Sequence, residues 1–242
     1  MSAAVATTGH AMRVGTARDH DRRIAEMFDR VSPRYDLLNR VLSLGTDRSW
    51  RRRAIAFARL GPGGRAVDVG AGTGDLTFAL ERRSAPEALV VAADLSKGML
   101  DVATRRGRIR AIIANAESLP FADASLDRVI TGFTVRNVGD LPRALREFRR
   151  VLRPGGRAVI LELSHPRGRV FPFVYRFYFE RVAPRIAVLF RGDAEAYRYL
   201  PKSLRVFPGA EALAGLLRDA GFADVRFECL TLGIAAIHVG EV

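Results

Sequence analysis

The stretch AVDVGAGTGDL, residues 66–76, decides the fold of this chain. An apolar run leads into Asp68, and glycines then stand at every second position, at Gly70, Gly72 and Gly74. This pattern predicts a buried strand that enters a tight turn and opens a helix. Glycines in such a turn let the backbone approach a bound ligand where a Cβ would clash. The turn is therefore expected to be a ligand-binding loop.

The acids around this turn indicate the kind of ligand. The third glycine of the dinucleotide fingerprint G-x-G-x-x-G would fall at position 75, where this chain has Asp75. A pyrophosphate would meet the carboxylates of both Asp68 and Asp75, and like charges at short range are costly. A neutral or cationic ligand is therefore expected. S-adenosylmethionine fits, because it carries an ammonium and a sulfonium and no phosphate.

A distant acid completes the pattern. Asp94 ends the apolar run LVVAAD, where an acid at the tip of a second strand can accept hydrogen bonds from both ribose hydroxyls. Together these features resemble the class I S-adenosylmethionine-dependent methyltransferases. The resemblance implies an α/β fold with a Rossmann-like, mostly parallel seven-stranded sheet and an antiparallel last strand. It also implies an N-terminal helical segment and a helical insertion after the fifth strand.

The length of 242 residues suits one such domain and is too short for two. We expect a flexible tail over residues 1–21 and a single methyltransferase domain over 22–242. Within it, N-terminal helices occupy 22–60 and a substrate-covering insertion occupies 165–208. The insertion contains RVFPFVYRFYFERVAPRIAVLF (169–190), whose mixed aromatics and arginines suit a lid over an isoprenoid, a segment at a bilayer surface, or a helix pair packed on the sheet.

Charge and cysteine content limit the cellular location, the metal sites and the partners that the protein can have. The single cysteine excludes an internal disulfide and a cysteine-based metal site, and the four histidines lack metal-ligand spacing, so no metal is predicted. The net charge of +13 fits an anionic partner such as RNA or a membrane surface, or reflects genomic base composition. Without a signal peptide or a transmembrane run, we expect a cytoplasmic protein with peripheral membrane contact as an open question.

A longer string narrows the resemblance. YDLLNRVLSLGTDRSW, residues 35–50, is similar to the N-terminal signature of the quinone-biosynthesis C-methyltransferases, which act on demethylmenaquinol and on 2-polyprenyl-6-methoxy-benzoquinol. Further strings resemble the same family: FTVRNV (133–138), LELS (161–164), DAEAYRYLPKSLRVFP (193–208) and TLGIAAIH (231–238). The resemblance implies C-methylation of a reduced polyprenyl quinone precursor, with demethylmenaquinol converted to menaquinol and the cofactor to S-adenosylhomocysteine.

The resemblance also implies roles for individual residues. The cofactor-binding candidates are Asp68, Gly70, Gly72, Thr73, Asp94, Asn115 and Ala116. The catalytic candidates are Arg136, Asn137 and Tyr35. Arg136 and Asn137 follow the predicted fourth strand, at the end of the sheet where ligands bind. A guanidinium close to a phenol favours the phenolate, which makes the neighbouring ring carbon nucleophilic. The alternative is that Arg136 pairs with a surface acid and Asn137 lies in a turn. Tyr35 would orient the ring.

Four positions depart from the family pattern. Gly132 stands where the family usually has serine, which removes one side-chain hydrogen bond to the cofactor. Thr134 and Val135 replace the Gly-Leu of F-G-L-R-N-V, and Asp47 replaces a frequent histidine that would serve as a base. The sequence leaves open a benzoquinol or another phenol as substrate, an RNA-binding module without chemistry, and a homodimer. The partner that it favours is a polyprenyl quinol, with no nucleic acid.

Overall fold

The computed structural model describes residues 17–32, 40, 43, 45–166, 168, 181, 199 and 203–242. Its helices are α1 (Ala17–Val31), α2 (Asp47–Ala58), α3 (Asp75–Glu81), α4 (Lys97–Arg106), α5 (Leu141–Val151) and α6 (Ala210–Asp219). Its strands are β1 (Arg65–Val69), β2 (Leu89–Asp94), β3 (Arg110–Ile113), β4 (Leu126–Gly132), β5 (Leu152–Leu163), β6 (Arg226–Leu230) and β7 (Ala235–Glu241). Short 3₁₀ turns follow β4, at Val135–Asn137, and β6, at Thr231–Gly233.

The strands form one seven-stranded sheet in the order β3-β2-β1-β4-β5-β7-β6. Neighbouring strands from β3 to β5 run parallel, and β7 is antiparallel to both β5 and β6. The predicted class I architecture is confirmed. The chain order reverses between β1 and β4, so the loops leaving these two strands diverge and open a crevice at their carboxyl ends.

Both faces of the sheet are covered by helices. Val129 of β4 packs with Leu145 and Phe148 of α5 on one face, while the next residue, Ile130, packs with Ile55 of α2 on the other. Successive strand residues point to opposite faces, so a continuous apolar run is what a doubly covered strand requires. These packed faces hold the strand ends, and therefore the loops of the crevice, in fixed positions.

One element boundary differs from the sequence prediction. α1 begins at Ala17, within the segment predicted as a tail over 1–21, because its first turns are bonded to loops of the sheet. β5 begins at Leu152, which pairs with Leu126 ahead of an irregularity in the register. Thr46 is the N-cap residue of α2.

Several predicted features lie outside the described residues. These are Tyr35, Asp36 and Asn39, the second N-terminal helix, and most of the insertion predicted over 165–208. Among the described residues, no helix combines the length and the apolar character that crossing a membrane requires.

Candidate active site

The turn after β1 has the backbone conformation that its glycines predict. Gly70 and Gly72 have φ values of +67° and +56°, in the left-handed region. A Cβ on Gly70 would stand 2.2 Å from the Thr134 side chain, so the β1 turn and the loop after β4 are in direct contact. The amides of Gly70 and Ala71 donate to the Ala93 carbonyl at 2.7 and 3.1 Å, which ties the turn to β2. The turn is therefore fixed by both neighbouring strands.

Asp68 lies fully buried at the end of β1. Its Oδ2 accepts a hydrogen bond from the Thr77 hydroxyl at 2.7 Å. Its Oδ1 is buried and has no hydrogen-bond partner among the described residues. Burial raises the pKa of Asp68 to about 7, although the Thr77 hydroxyl and the charge of Arg51 act in the opposite direction. A buried acceptor without a donor is costly, and a cationic group in the crevice would satisfy it.

Asp94, at the end of β2, links two loops. Its Oδ2 accepts from the Gly72 amide and its Oδ1 from the Ser96 amide, both at 2.8 Å. Burial raises the pKa of Asp94, and these two amide donors act against that shift. Each carboxylate oxygen retains a lone pair, and Asp94 lines the cleft. The carboxylate can therefore bind a ligand while it holds the glycine turn in place.

Helix α1 closes the cleft over the ends of β2 and β3. Its Asp29 Oδ1 accepts from the Ser96 hydroxyl at 2.5 Å and from the Gly98 amide at 2.8 Å. Its Asp21 Oδ2 accepts from Asn115 Nδ2 at 2.7 Å. These contacts bring three α1 side chains into the cleft lining: Asp21, Ile24 and Phe28. None of them was predicted from the sequence, because their partners are far away in the chain.

The cleft is open and holds about 850 Å³ of empty space, part of it continuous with solvent. All seven predicted cofactor residues line it: Asp68, Gly70, Gly72, Thr73, Asp94, Asn115 and Ala116. The lining also includes Arg51 and Asp75 at one end and the loop residues Phe133 and Thr134. The structure thus brings together in one cleft residues that are dispersed over several strand ends. Arg51, on α2, was not predicted as a site residue.

The three catalytic candidates differ in where they lie. Arg136 is 8 % exposed, and its Nη1 donates to Glu162 Oε1 at 2.5 Å and to the Phe133 carbonyl at 2.8 Å. Glu162, on β5, is 1 % exposed and also accepts from the Arg136 amide at 3.2 Å. The guanidinium therefore braces the loop after β4 and is absent from the cleft lining. Tyr35 lies outside the described residues.

Asn137 does face the cleft. Its Nδ2 donates to the Phe133 carbonyl at 3.3 Å, and its own carbonyl accepts from His20 Nε2 of α1 at 2.9 Å. Its Oδ1 is buried and has no hydrogen-bond partner within the described part of the chain. This oxygen is a second acceptor available to a ligand. Tyr199 lies near the same loop. Burial raises the pKa of Tyr199, and the nearby charges of Arg136 and Glu162 lower and raise it respectively.

Two other features bear on the chemistry. Within the described residues, no group of three His, Cys, Asp or Glu side chains is placed to hold a metal ion. His238 is 1 % exposed on β7, and its Nε2 donates to the Ala210 carbonyl at 2.8 Å. Burial lowers the pKa of His238, and its ring stacks on Phe227. It packs in the last strand and is absent from the cleft lining.

Known proteins resemble this chain in sequence over most of its length. The model of the ubiE/COQ5 methyltransferase family matches residues 16–241. A demethylmenaquinone methyltransferase of Thermus thermophilus is 48 % identical over 220 residues, which cover 89 % of this chain and 99 % of that protein. A ubiquinone/menaquinone biosynthesis C-methyltransferase UbiE of Geobacter sulfurreducens is 45 % identical over 226 residues, which cover 90 % of this chain and 88 % of that protein.

Among solved structures, the chain is similar in fold to a SAM-dependent methyltransferase of Thermotoga maritima. The TM-score is 0.66 at 23 % identity, and the match covers 90 % of this chain and 99 % of that one. At this level of identity the likeness concerns the fold.

Proposed function

This chain belongs to the ubiE/COQ5 methyltransferase family, and we propose that it transfers a methyl group from S-adenosylmethionine to a ring carbon of demethylmenaquinol. It is an S-adenosylmethionine-dependent methyltransferase of quinone biosynthesis. The naphthoquinol substrate is supported by relatives from Thermus thermophilus and Deinococcus radiodurans, at 48 % and 45 % identity, which are both named demethylmenaquinone methyltransferases. The products are menaquinol, S-adenosylhomocysteine and the proton that leaves the methylated ring carbon.

The observation that carries the cofactor assignment is the unpartnered, buried Oδ1 of Asp68 beside a glycine turn. An ammonium would satisfy this oxygen, whereas a phosphate would be repelled by it. Asp94 offers two carboxylate oxygens, each holding one backbone amide, for the two ribose hydroxyls. The residues present therefore fit S-adenosylmethionine, with Gly70, Gly72 and Thr73 forming the turn against it.

The adenine would bind between the loop after β3 and helix α1. Asn115 and Ala116 form the polar edge of this part of the cleft. Ile24 and Phe28 of α1 line the same cleft and provide apolar surface for a flat ring. Because α1 is bonded to loops after β2 and β3, it holds these apolar side chains against the cofactor site.

The bound cofactor supplies an electrophilic methyl group, and the residues of this chain determine what meets it. Asn137 Oδ1 would accept a hydrogen bond from a quinol hydroxyl, which increases electron donation from that oxygen into the ring. Holding the ring carbon in line with the methyl group is the main task, since orientation alone supplies much of such a rate enhancement. Helix α1 and the loop after β4 meet at Asn137, so they would close around the reacting groups together.

Arg136 would act on the quinol through the loop that it braces. Its charge is balanced by Glu162, so it offers a phenolate less stabilisation than a single cation would. We propose that the Arg136–Glu162 pair fixes Phe133 and Asn137 in their working positions. Tyr35 remains a proposed residue for orienting the ring.

A labelling experiment tests this function. Purified protein is incubated with methyl-labelled S-adenosylmethionine and chemically reduced demethylmenaquinone in detergent, and the extracted lipid is analysed by mass spectrometry. The expected product is labelled menaquinone, formed with reductant and absent without it. Binding of S-adenosylhomocysteine without labelled menaquinone would contradict the naphthoquinol assignment. Labelling of 2-polyprenyl-6-methoxy-benzoquinol or of a soluble phenol in parallel reactions would assign the activity to that substrate instead.

The proposed polyprenyl quinol substrate indicates where in the cell the protein would bind it. A polyprenyl tail partitions into a bilayer, so the protein would meet its quinol at a membrane surface. The net charge of +13 favours an anionic surface. Co-sedimentation with vesicles is expected to be stronger with anionic than with neutral lipid and to weaken with added salt. Equal binding to both vesicle types would contradict an electrostatic membrane contact.

A further inference from the structure

The guanidinium of Arg51, on α2, is enclosed and yet incompletely hydrogen-bonded. Its side chain is 14 % exposed, and its Nε is buried without a hydrogen-bond partner among the described residues. Among the described residues, the nearest carboxylate oxygens belong to Asp47 at 3.6 Å and Asp75 at 3.9 Å, both beyond normal hydrogen-bond distance. Those two carboxylates balance its charge at a distance. Because neither carboxylate is within hydrogen-bond distance, the Arg51 guanidinium keeps N–H donor capacity for a ligand.

The neighbours of Arg51 do not compete strongly for its donors. Asp47 Oδ1 already accepts from the Ser43 hydroxyl at 2.8 Å. Asp75 Oδ1 accepts from Arg106 Nη2 at 2.7 Å. Burial raises the pKa of Asp75, but Arg51 and Arg106 outweigh that effect and hold it below its usual value. Each carboxylate thus has a closer partner than Arg51, whose guanidinium carbon instead lies 5.2 Å from the centre of the Phe133 ring.

Arg51 lines the same cleft as Asp68, and its positive charge lowers the pKa of that buried carboxyl group. Gly132 at the end of β4 belongs to this part of the cleft as well, and a Cβ placed there would stand 3.9 Å from Arg51 Nη1. One end of the cleft therefore presents an unpartnered carboxylate oxygen and an incompletely bonded guanidinium. The group complementary to this arrangement is an α-amino acid zwitterion.

We propose that Arg51 binds the α-carboxylate of the methionine part of the cofactor, while Asp68 binds its ammonium. The planar guanidinium matches a carboxylate with two parallel hydrogen bonds, which a single point charge cannot provide. The inference rests on the cofactor assignment of the proposed function and is independent of the quinol. It gives a role to a residue of the N-terminal segment, which packs against the sheet through α2.

The test compares two ligands by isothermal titration calorimetry: S-adenosylhomocysteine and its decarboxylated analogue, which differ only in the carboxylate. The protein is expected to bind S-adenosylhomocysteine about 10- to 100-fold more tightly than the analogue. In Arg51→Met the two affinities are expected to agree within about twofold. Arg51→Lys keeps the charge and loses the two-point geometry, so an intermediate preference is expected.

Arg53→Met is the matched control, because Arg53 lies on the same helix and pairs with Glu228 at the surface. It is expected to keep the full preference for S-adenosylhomocysteine. A preference that survives in both Arg51 variants would overturn the proposal, and so would an equal weakening of the two ligands, which would indicate a purely structural role. If Arg51→Met does not fold, the ratio of the two ligand affinities in Arg51→Lys tests the proposal. Tight binding of S-adenosylhomocysteine without quinol methylation would refute the proposed function and leave this ratio standing.

Discussion

The two sides of the cleft differ in how their charged groups are paired. On the side formed by the loops after β1, β2 and β3, a buried carboxylate oxygen has no hydrogen-bond partner among the described residues. On the side formed by β4 and β5, the buried charges form an ion pair. We call these the cofactor side and the quinol side. Asp68 on the cofactor side has an unpartnered carboxylate oxygen, while Arg136 on the quinol side is closed on Glu162 at 2.5 Å. Among the described residues of this side, the neutral Asn137 amide oxygen is a buried acceptor without a partner that belongs to a residue of the cleft lining.

Under the proposed function, this difference corresponds to the two ligands. A cofactor that carries full charges would be recognised by charged groups that keep hydrogen-bonding atoms without a partner in the protein. A neutral quinol that becomes a better nucleophile needs a fixed amide and a rigid loop more than a free cation. Charges on the quinol side would then contribute to shape, and charges on the cofactor side to affinity.

The largest expected effect tests the quinol side. Arg136→Met should lower the free energy of unfolding by about 3–5 kcal/mol, because it leaves the buried Glu162 carboxylate without its partner. Urea unfolding monitored by circular dichroism measures this change. Arg53→Met, which removes a pair with side chains 58 % and 39 % exposed, should cost less than about 1 kcal/mol. An Arg136→Met protein of unchanged stability and lost turnover would instead place the guanidinium on the quinol itself.

The next effect tests the cofactor side. Asp94→Ala should weaken S-adenosylhomocysteine binding about 100-fold, because it removes the acceptor for the ribose and releases the amides of Gly72 and Ser96. Calorimetric titration gives the affinity. The matched change Asp101→Ala breaks an exposed pair with Lys97 on α4 and should leave the affinity unchanged. Similar affinities for the two variants would contradict the ribose assignment.

A smaller effect concerns pH. The pKa of Asp68 is raised to about 7 in the folded protein, so the folded state binds more protons than the unfolded state between about pH 4 and pH 7. The contribution of this group to stability therefore falls as pH rises through that window. A ligand ammonium would favour the ionised form of Asp68 instead. The affinity for S-adenosylhomocysteine should therefore rise about fivefold from pH 6 to pH 7, and binding should release protons.

Titrations in buffers of different ionisation enthalpy measure that proton release. Asp68→Asn should bind more weakly and without this pH dependence. A pH dependence that persists unchanged in Asp68→Asn would assign it to another group.

The sequence predicted the strands and the turn of the cofactor side because the patterns that specify them are local. The strand, the glycine turn and the acids Asp68 and Asp94 each follow from short patterns, and β4 precedes Arg136 and Asn137, as the sequence predicted. Contacts between distant segments have no such signal. Asp21 reaches Asn115 across 94 positions of the chain, and nothing in the α1 pattern distinguishes it from a surface acid.

The quinol side shows the same limit. The FTVRNV string identified the loop, and Asn137 does line the cleft. The partner of Arg136 could not be read from that string, because Glu162 lies on the neighbouring strand and appears in sequence as one more strand residue. Arg51 was one of several arginines after Trp50, and only the packing of α2 against the sheet separates it from the exposed Arg53.

The most direct test of the division between the two sides is one variant with two readings. For Asn137→Ala, the affinity for S-adenosylhomocysteine and the single-turnover rate of methyl transfer to reduced demethylmenaquinone at saturating cofactor are measured on the same preparation. We predict an affinity within about threefold of the unsubstituted protein and a rate lower by about 10- to 100-fold. A loss of affinity as large as the loss of rate, or an unchanged rate, would contradict the assignment of Asn137 to the quinol.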